Sequence, residues 1–141
     1  MNRILFGNSV THKYYEGCFA ADRIPKCVKF PTSMVVNLER SNEDGSHWIG
    51  LFTRSARQIF YFDSYGLQPE GLVRKYMIEN FEKITRNLKT FQSPFSSVCG
   101  HYCIFFIYFM SLNLKFEDVV RMLELSDRPD LFVKNFVSSF V

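Results

Sequence analysis

HWIGLFTRSARQIFYFD, residues 47–63, contains two runs rich in apolar and aromatic residues, His47 to Thr53 and Gln58 to Asp63, separated by Arg54-Ser55-Ala56-Arg57. Such runs around a short polar connection predict a hairpin. Both runs are apolar at successive rather than alternate positions, the pattern of central strands covered on both faces. A three-residue turn centred on Ser55 makes paired positions sum to 110: Thr53 with Arg57, Leu51 with Ile59, Ile49 with Tyr61 and His47 with Asp63. Directly opposed side chains on one face have Cβ atoms roughly 4.5–5.5 Å apart. At that distance a carboxylate can accept from an imidazole and fix its tautomer. A four-residue turn would put Asp63 opposite Trp48 instead.

Before the hairpin, Met34 to Leu38 (MVVNL) reads as a buried strand and Arg40 to Gly45 (RSNEDG) as a polar turn. After it, Ser64 to Pro69 (SYGLQP) is a loop, and Gly71 to Arg86 places Leu72, Tyr76, Asn80 and Ile84 at helical spacing. Lys89 to Gln92 is a short strand or extended piece, and Ser93 to Val98 (SPFSSV) a loop. A nearly all-apolar, hence buried, helix follows from Cys99 to Leu112. Two shorter helices are expected near Phe116 to Leu125 and Pro129 to Phe140, with Asp127 and Pro129 suited to the start of the last. Strands in the middle with helices on either side predict an α+β domain, a central mixed sheet flanked by helices, over residues 1–141.

The chemistry centres on Cys99. A thiol opening a buried helix feels the positive end of the helix dipole, which favours the thiolate, the nucleophilic form. Gly100 leaves room there for a substrate backbone. Of the three histidines, His101 is two residues from Cys99 on the same helix and points elsewhere, and His12 lies in an irregular N-terminal stretch. His47 therefore stands as the base and Asp63 as its orienter. Gln92, seven residues before Cys99 across a loop with Pro94, is the candidate oxyanion donor together with the Cys99 backbone N–H. Each has a bland alternative: an inert buried thiol, a turn carboxylate, a solvated loop amide and, for Trp48, a core aromatic. A metal site from Cys99, His101 and Cys103 is disfavoured, because His101 diverges and no second ligand pair has zinc-like spacing. No metal or other cofactor is expected.

The bulk properties agree with a globular protein. The chain has 141 residues, 16 of them Phe, and a formal charge of +3. That charge permits contact with nucleic acid without arguing for it. The longest apolar run, Ile104 to Met110, is too short to span a bilayer. With no apolar leader in the first 15 residues, Cys18, Cys27, Cys99 and Cys103 read as reduced thiols of an intracellular protein.

The ordered set His47-Trp48, Asp63, Gln92, Cys99-Gly100 resembles the adenoviral endopeptidase (adenain) and its relatives, the SUMO-specific proteases. The likeness extends over GCFAADRIP (17–25), similar to the family's segment before its first sheet strand, MVVNLERSNEDGSHW (34–48), YFDSYG (61–66) and QSPFSSVCGHYC (92–103). It implies a papain-like fold in circularly rearranged order, with attack by Cys99, proton handling by His47, orientation by Asp63 and Gln92 in the oxyanion hole. A narrow tunnel beside Trp48, admitting glycine before the cleaved bond, is also implied. The abundant Phe and Tyr residues are expected to line an apolar pocket further along, suited to a Leu, Ile or Met of the substrate. By analogy the expected substrate is a capsid or core precursor of an adenovirus-like virus or virus-like DNA transposon, with the protein in the host nucleus or virion. A deconjugase for ubiquitin-like modifiers, an acetyltransferase and a binding module with a decayed site are the alternatives. Two departures stand out. The adenoviral enzymes carry Glu where this chain has Asp63, and they join an activating peptide through a cysteine that ITRNLKTF (84–91) lacks. DNA and an activating peptide remain open as partners.

Overall fold

A computed structural model describes residues 1–42 and 47–140. The chain runs α1 (Asn2–Gly7), β1 (Tyr15–Ala20), β2 (Thr32–Asn37), β3 (Trp48–Ser55), β4 (Gln58–Phe62), α2 (Gly71–Asn80), β5 (Lys83–Arg86), α3 (Cys99–Ser111), α4 (Phe116–Glu124) and α5 (Pro129–Ser138). The five strands form one mixed sheet in sequence order. β2, β3 and β4 are antiparallel, and the two edge strands, β1 and β5, pair parallel to their neighbours. This is the expected α+β architecture.

Alternation along each strand sends side chains to two separate cores. Val35, Phe52 and Phe62 pack with α3, α4 and α5, while Met34, Val36, Ile49, Leu51, Ile59 and Tyr61 pack with Val73 and Met77 of α2. Helices on both faces explain why the strands are apolar at successive positions. α3 lies close against the sheet at Gly50, where a Cβ would come within 2.7 Å of the Phe106 ring.

Several expectations need correction. The hairpin pairs Gly50 with Phe62, Leu51 with Tyr61 and Phe52 with Phe60, two positions from the anticipated register, and its turn is Ala56-Arg57. Arg54 is the extra residue that shifts the ladder between Thr53 and Ser55. Its guanidinium is drawn to the C-terminal end of α3, donating to the carbonyls of Met110 and Leu114. The helix expected over 71–86 stops at Asn80, and Lys83–Arg86 form β5. Ile84 fits the helical spacing, but it is β-branched and pairs with Ile59 at the sheet edge. Residues 17–20, read as preceding the first strand, lie inside β1, whose pairing is irregular between Tyr15 and Cys18 around Gly17. The polar turn over 40–45 lies partly outside the described residues. Among the described residues no helix is long and apolar enough to cross a membrane.

Candidate active site

His47 immediately precedes β3, Asp63 immediately follows β4, and Cys99 opens α3. Antiparallel pairing sets the start of β3 beside the end of β4. A two-residue slip keeps side-chain parity, so His47 and Asp63 still share a face, diagonally rather than directly opposed. The imidazole bridges that gap: Nε2 lies 2.6 Å from Asp63 Oδ1. The Asp63 side chain is 1% exposed and that of His47 14%. Because Nε2 is engaged, Nδ1 is the nitrogen left to interact with the Cys99 thiol.

Burial alone would push the imidazole down, but hydrogen bonds to Asp63 and Cys99, with their charges, outweigh it and raise its pKa to about 9. Burial likewise pushes the Cys99 thiol up. Its hydrogen bond with His47, the Trp48 backbone N–H, the His47 charge and the Gly100 N–H together bring it below the ordinary thiol value. Both directions favour the same pair, a thiolate beside an imidazolium. α3 has no side-chain N-cap, so the dipole of its first turn is directed at the same sulfur.

The Asp63–Gly66 turn is tightly held. Asn87, buried just past β5, accepts from the Asp63 N–H at 2.9 Å and donates to the Asp63 carbonyl at 2.6 Å. The Tyr65 N–H donates to Asp63 Oδ1 at 2.9 Å, and the Tyr65 ring lies 4.8 Å from the imidazole. Gly66 has φ +67° and passes so close to Lys89 that a Cβ would meet its carbonyl oxygen at 2.5 Å. Gln92 is 3% exposed. Its Nε2 donates to the Ser96 carbonyl at 3.0 Å and its Oε1 accepts from the Ser64 hydroxyl at 2.5 Å.

This arrangement, an imidazole between a buried carboxylate and a thiol at a helix start, coincides with a family match. Residues 41–139 match the model of the Ulp1 protease family, C-terminal catalytic domain. The chain belongs to the Ulp1 protease family. Among curated proteins it is 26% identical over 89 residues to the protease of bovine adenovirus C serotype 10, covering 52% of this chain and 45% of that one. To the protease of bovine adenovirus 7 it is 26% identical over 96 residues, 57% of this chain and 47% of the relative. The chain thus spans about half the length of the curated relatives it matches. In three dimensions it resembles the crystal structure of ASFV pS273R protease with a TM-score of 0.61 at 20% identity, over 97% of this chain and 65% of that one.

Within this Ulp1-family domain, the other sequence candidates take different places. The Trp48 side chain is half-buried against the α3 core, and its backbone N–H reaches the Cys99 sulfur. The space a Cβ would take at Gly100 lies 3.3 Å from the Met1 sulfur. His101 is half-buried, with its pKa lowered by burial and by Lys134 of α5. Cys103 is completely buried, and burial drives its thiol well above the ordinary value. All four cysteines are free. Phe105 and Phe106 lie in the core. The cleft beside Asp63, about 680 Å³, is lined instead by Leu38, Leu67 and Leu72 together with Arg40, Gln68 and Glu70, and among the described residues Tyr61 is its one aromatic. Sequence reading missed Ser64, Asn87 and the Trp48 N–H. DSYG was visible only as a turn, and a lone Asn after β5 carries no signal.

Proposed function

We propose that this chain is a cysteine endopeptidase in which Cys99, His47, Asp63 and Gln92 perform the chemistry. The observation that carries the reading is the imidazole held at 2.6 Å by a buried carboxylate and interacting with the thiol that opens α3. The Cys99 thiolate attacks the scissile carbonyl carbon, and the electron pair of the C=O moves onto oxygen. The Cys99 N–H and the Gln92 amide receive that oxyanion. As the C–N bond breaks, His47 gives its Nδ1 proton to the leaving amine, so a thioester and a free amine form. Water, deprotonated by His47, then attacks the thioester and releases the acid and the thiol. Asp63 holds the ring and stabilises its charge throughout.

The substrate is a precursor protein, a capsid or core component of a virus-like element, cut after glycine. Adenoviral relatives support this, as does the bulk of Trp48 next to the base. The tunnel that the family resemblance implies beside Trp48 would admit only glycine before the cleaved bond, since glycine alone has no Cβ. The Ulp1-family match supports a second reading, release of a ubiquitin-like modifier after its terminal glycine. A peptide library spanning Gly-X junctions, run beside a modifier fusion, separates the two. Cleavage of Gly peptides by the wild type and not by Cys99→Ala is expected. No cleavage of either substrate by a protein whose thiol still alkylates would reject the reading.

A further inference from the structure

Ser64 stands between the acid and the oxyanion donor, and its hydrogen bonds leave little choice of geometry. It is 1% exposed. Its carbonyl accepts from the N–H groups of Phe91 and Gln92 at 2.8 and 3.0 Å, which fixes the backbone of Gln92. Its hydroxyl lies 2.5 Å from Gln92 Oε1. At the other end of that amide, Nε2 is 3.0 Å from the Ser96 carbonyl. A carbonyl oxygen only accepts, so nitrogen must face Ser96 and oxygen must face Ser64, whose hydroxyl must donate. One of the two Nε2 hydrogens is then used by Ser96 and the second is left for a ligand. Without the Ser64 hydroxyl, a buried amide oxygen would have no donor and would turn to find one, which is costly where it stands.

We propose that Ser64 is a positioning residue of the oxyanion hole: its buried hydroxyl clamps the Gln92 carboxamide so that one N–H is aimed at the attacked carbonyl oxygen. The inference rests on the reading of Gln92 as oxyanion donor. It adds that a single turn sets both halves of the machinery. Asp63 holds the base, the adjacent Ser64 holds the donor, and Asn87 and Gly66 lock that turn to the chain leading to Gln92. The spacing between base and oxyanion hole is therefore built into residues 63–66.

The test uses a peptide ending in glycinal. The Cys99 sulfur adds to the aldehyde carbon, and the carbonyl electron pair moves to oxygen, which takes the imidazolium proton. The neutral thiohemiacetal that results loads the oxyanion hole without turnover. Its inhibition constant and the rate of iodoacetamide alkylation are measured for wild type, Ser64→Ala, Gln92→Ala and the double variant. Full loss of an oxyanion donor costs roughly 10²–10³ in rate, so a displaced one in Ser64→Ala is expected to weaken the aldehyde by about tenfold. Alkylation makes no oxyanion and should change less than about twofold. The double variant should bind the aldehyde no worse than Gln92→Ala, because residues acting through one contact are not additive. Should Ser64→Ala fail to fold, the near-isosteric Ser64→Cys, a weaker donor, carries the same comparison. Unchanged aldehyde affinity, additive losses in the double variant, or alkylation falling in step would each overturn the proposal. A wild type that alkylates but neither binds the aldehyde nor cleaves Gly peptides would reject the protease reading and this proposal with it.

Discussion

Cys99 and Cys103 are one helical turn apart on the same face of α3, yet their thiols are displaced in opposite directions. Both are penalised by burial. At Cys99 the penalty is outweighed by an imidazole and two backbone N–H groups, which interact more strongly with a thiolate than with a thiol. At Cys103 nothing offsets it, and the nearby Cys99, Cys18 and Asp63 charges add to it. The lesson is that α3 has two regions with separate physics. Its first turn is polarised by the ends of β3 and β4, and the remainder is packing against the sheet. The opposite displacement of the two thiols follows from that polarity, not from the residue type.

The largest effect expected is at this boundary. Cys99→Ala should reduce peptide cleavage to background with the fold intact, whereas Cys103→Ala should keep most of the activity. Steady-state kinetics on a Gly-X peptide, with circular dichroism as the fold control, make the comparison. A dead Cys103→Ala protein beside an active Cys99→Ala would reverse the assignment. Next comes Asp63→Asn, which removes the carboxylate that helps hold His47 up to about 9. The wild-type rate should rise with pH through the lowered Cys99 value, as the thiolate forms, and fall again near pH 9 as the imidazolium loses the proton needed by the leaving amine. In Asp63→Asn the falling limb should move to lower pH. The rising limb should move up, because His47 then carries less charge to stabilise the thiolate. The plateau should drop by on the order of 10²–10⁴. Limbs that stay in place would mean that Asp63 does not set the charge on His47. Smaller again, Gln92→Ala should slow acylation by roughly 10²–10³ while alkylation of Cys99 is retained. Equal losses in both assays would make Gln92 a structural brace.

The parts of this arrangement readable in the sequence are those with local or periodic signals. The unbroken apolar run after Cys99 announced α3, and the two apolar runs around Arg54–Arg57 announced the hairpin. The register differs by two positions because the turn sits at Ala56-Arg57 rather than on Ser55, a three-position shift of which the irregularity at Arg54 takes back one; Arg54 itself reaches the end of α3, 56 and 60 residues away, a contact with no local signal. The pairing of His47 with Asp63 survived because an even slip preserves the face. β5 escaped notice because four residues after a helix, with Ile84 in phase, look like its continuation. Ser64 and Asn87 were invisible for a different reason: their partners lie 28 and 24 residues away, and no periodicity links them.

The smallest effect probes the other region of α3. A methyl at Gly50 would lie 2.7 Å from Cδ2 of Phe106. Phe106 has nowhere to go, since its ring stacks on Phe62 at 5.1 Å and meets Phe116 edge-on at 6.0 Å. Gly50→Ala must therefore push α3 off the sheet or twist Phe106 out of its rotamer, an overpacking cost of about 1–3 kcal/mol. For a chain of this size that lowers Tm by about 4 °C per kcal/mol. Below the melting transition, cleavage per folded molecule should be close to that of wild type, because Cys99, on the first turn of α3, interacts with His47 and Trp48 at the start of β3 rather than with Phe106. Cys103, in contrast, should become easier to alkylate as the packing around it loosens. Unchanged Tm would show that the sheet does not fix α3 at Gly50. A normal Tm with a lost Cys99 reaction would show that the two regions of the helix are not separable after all.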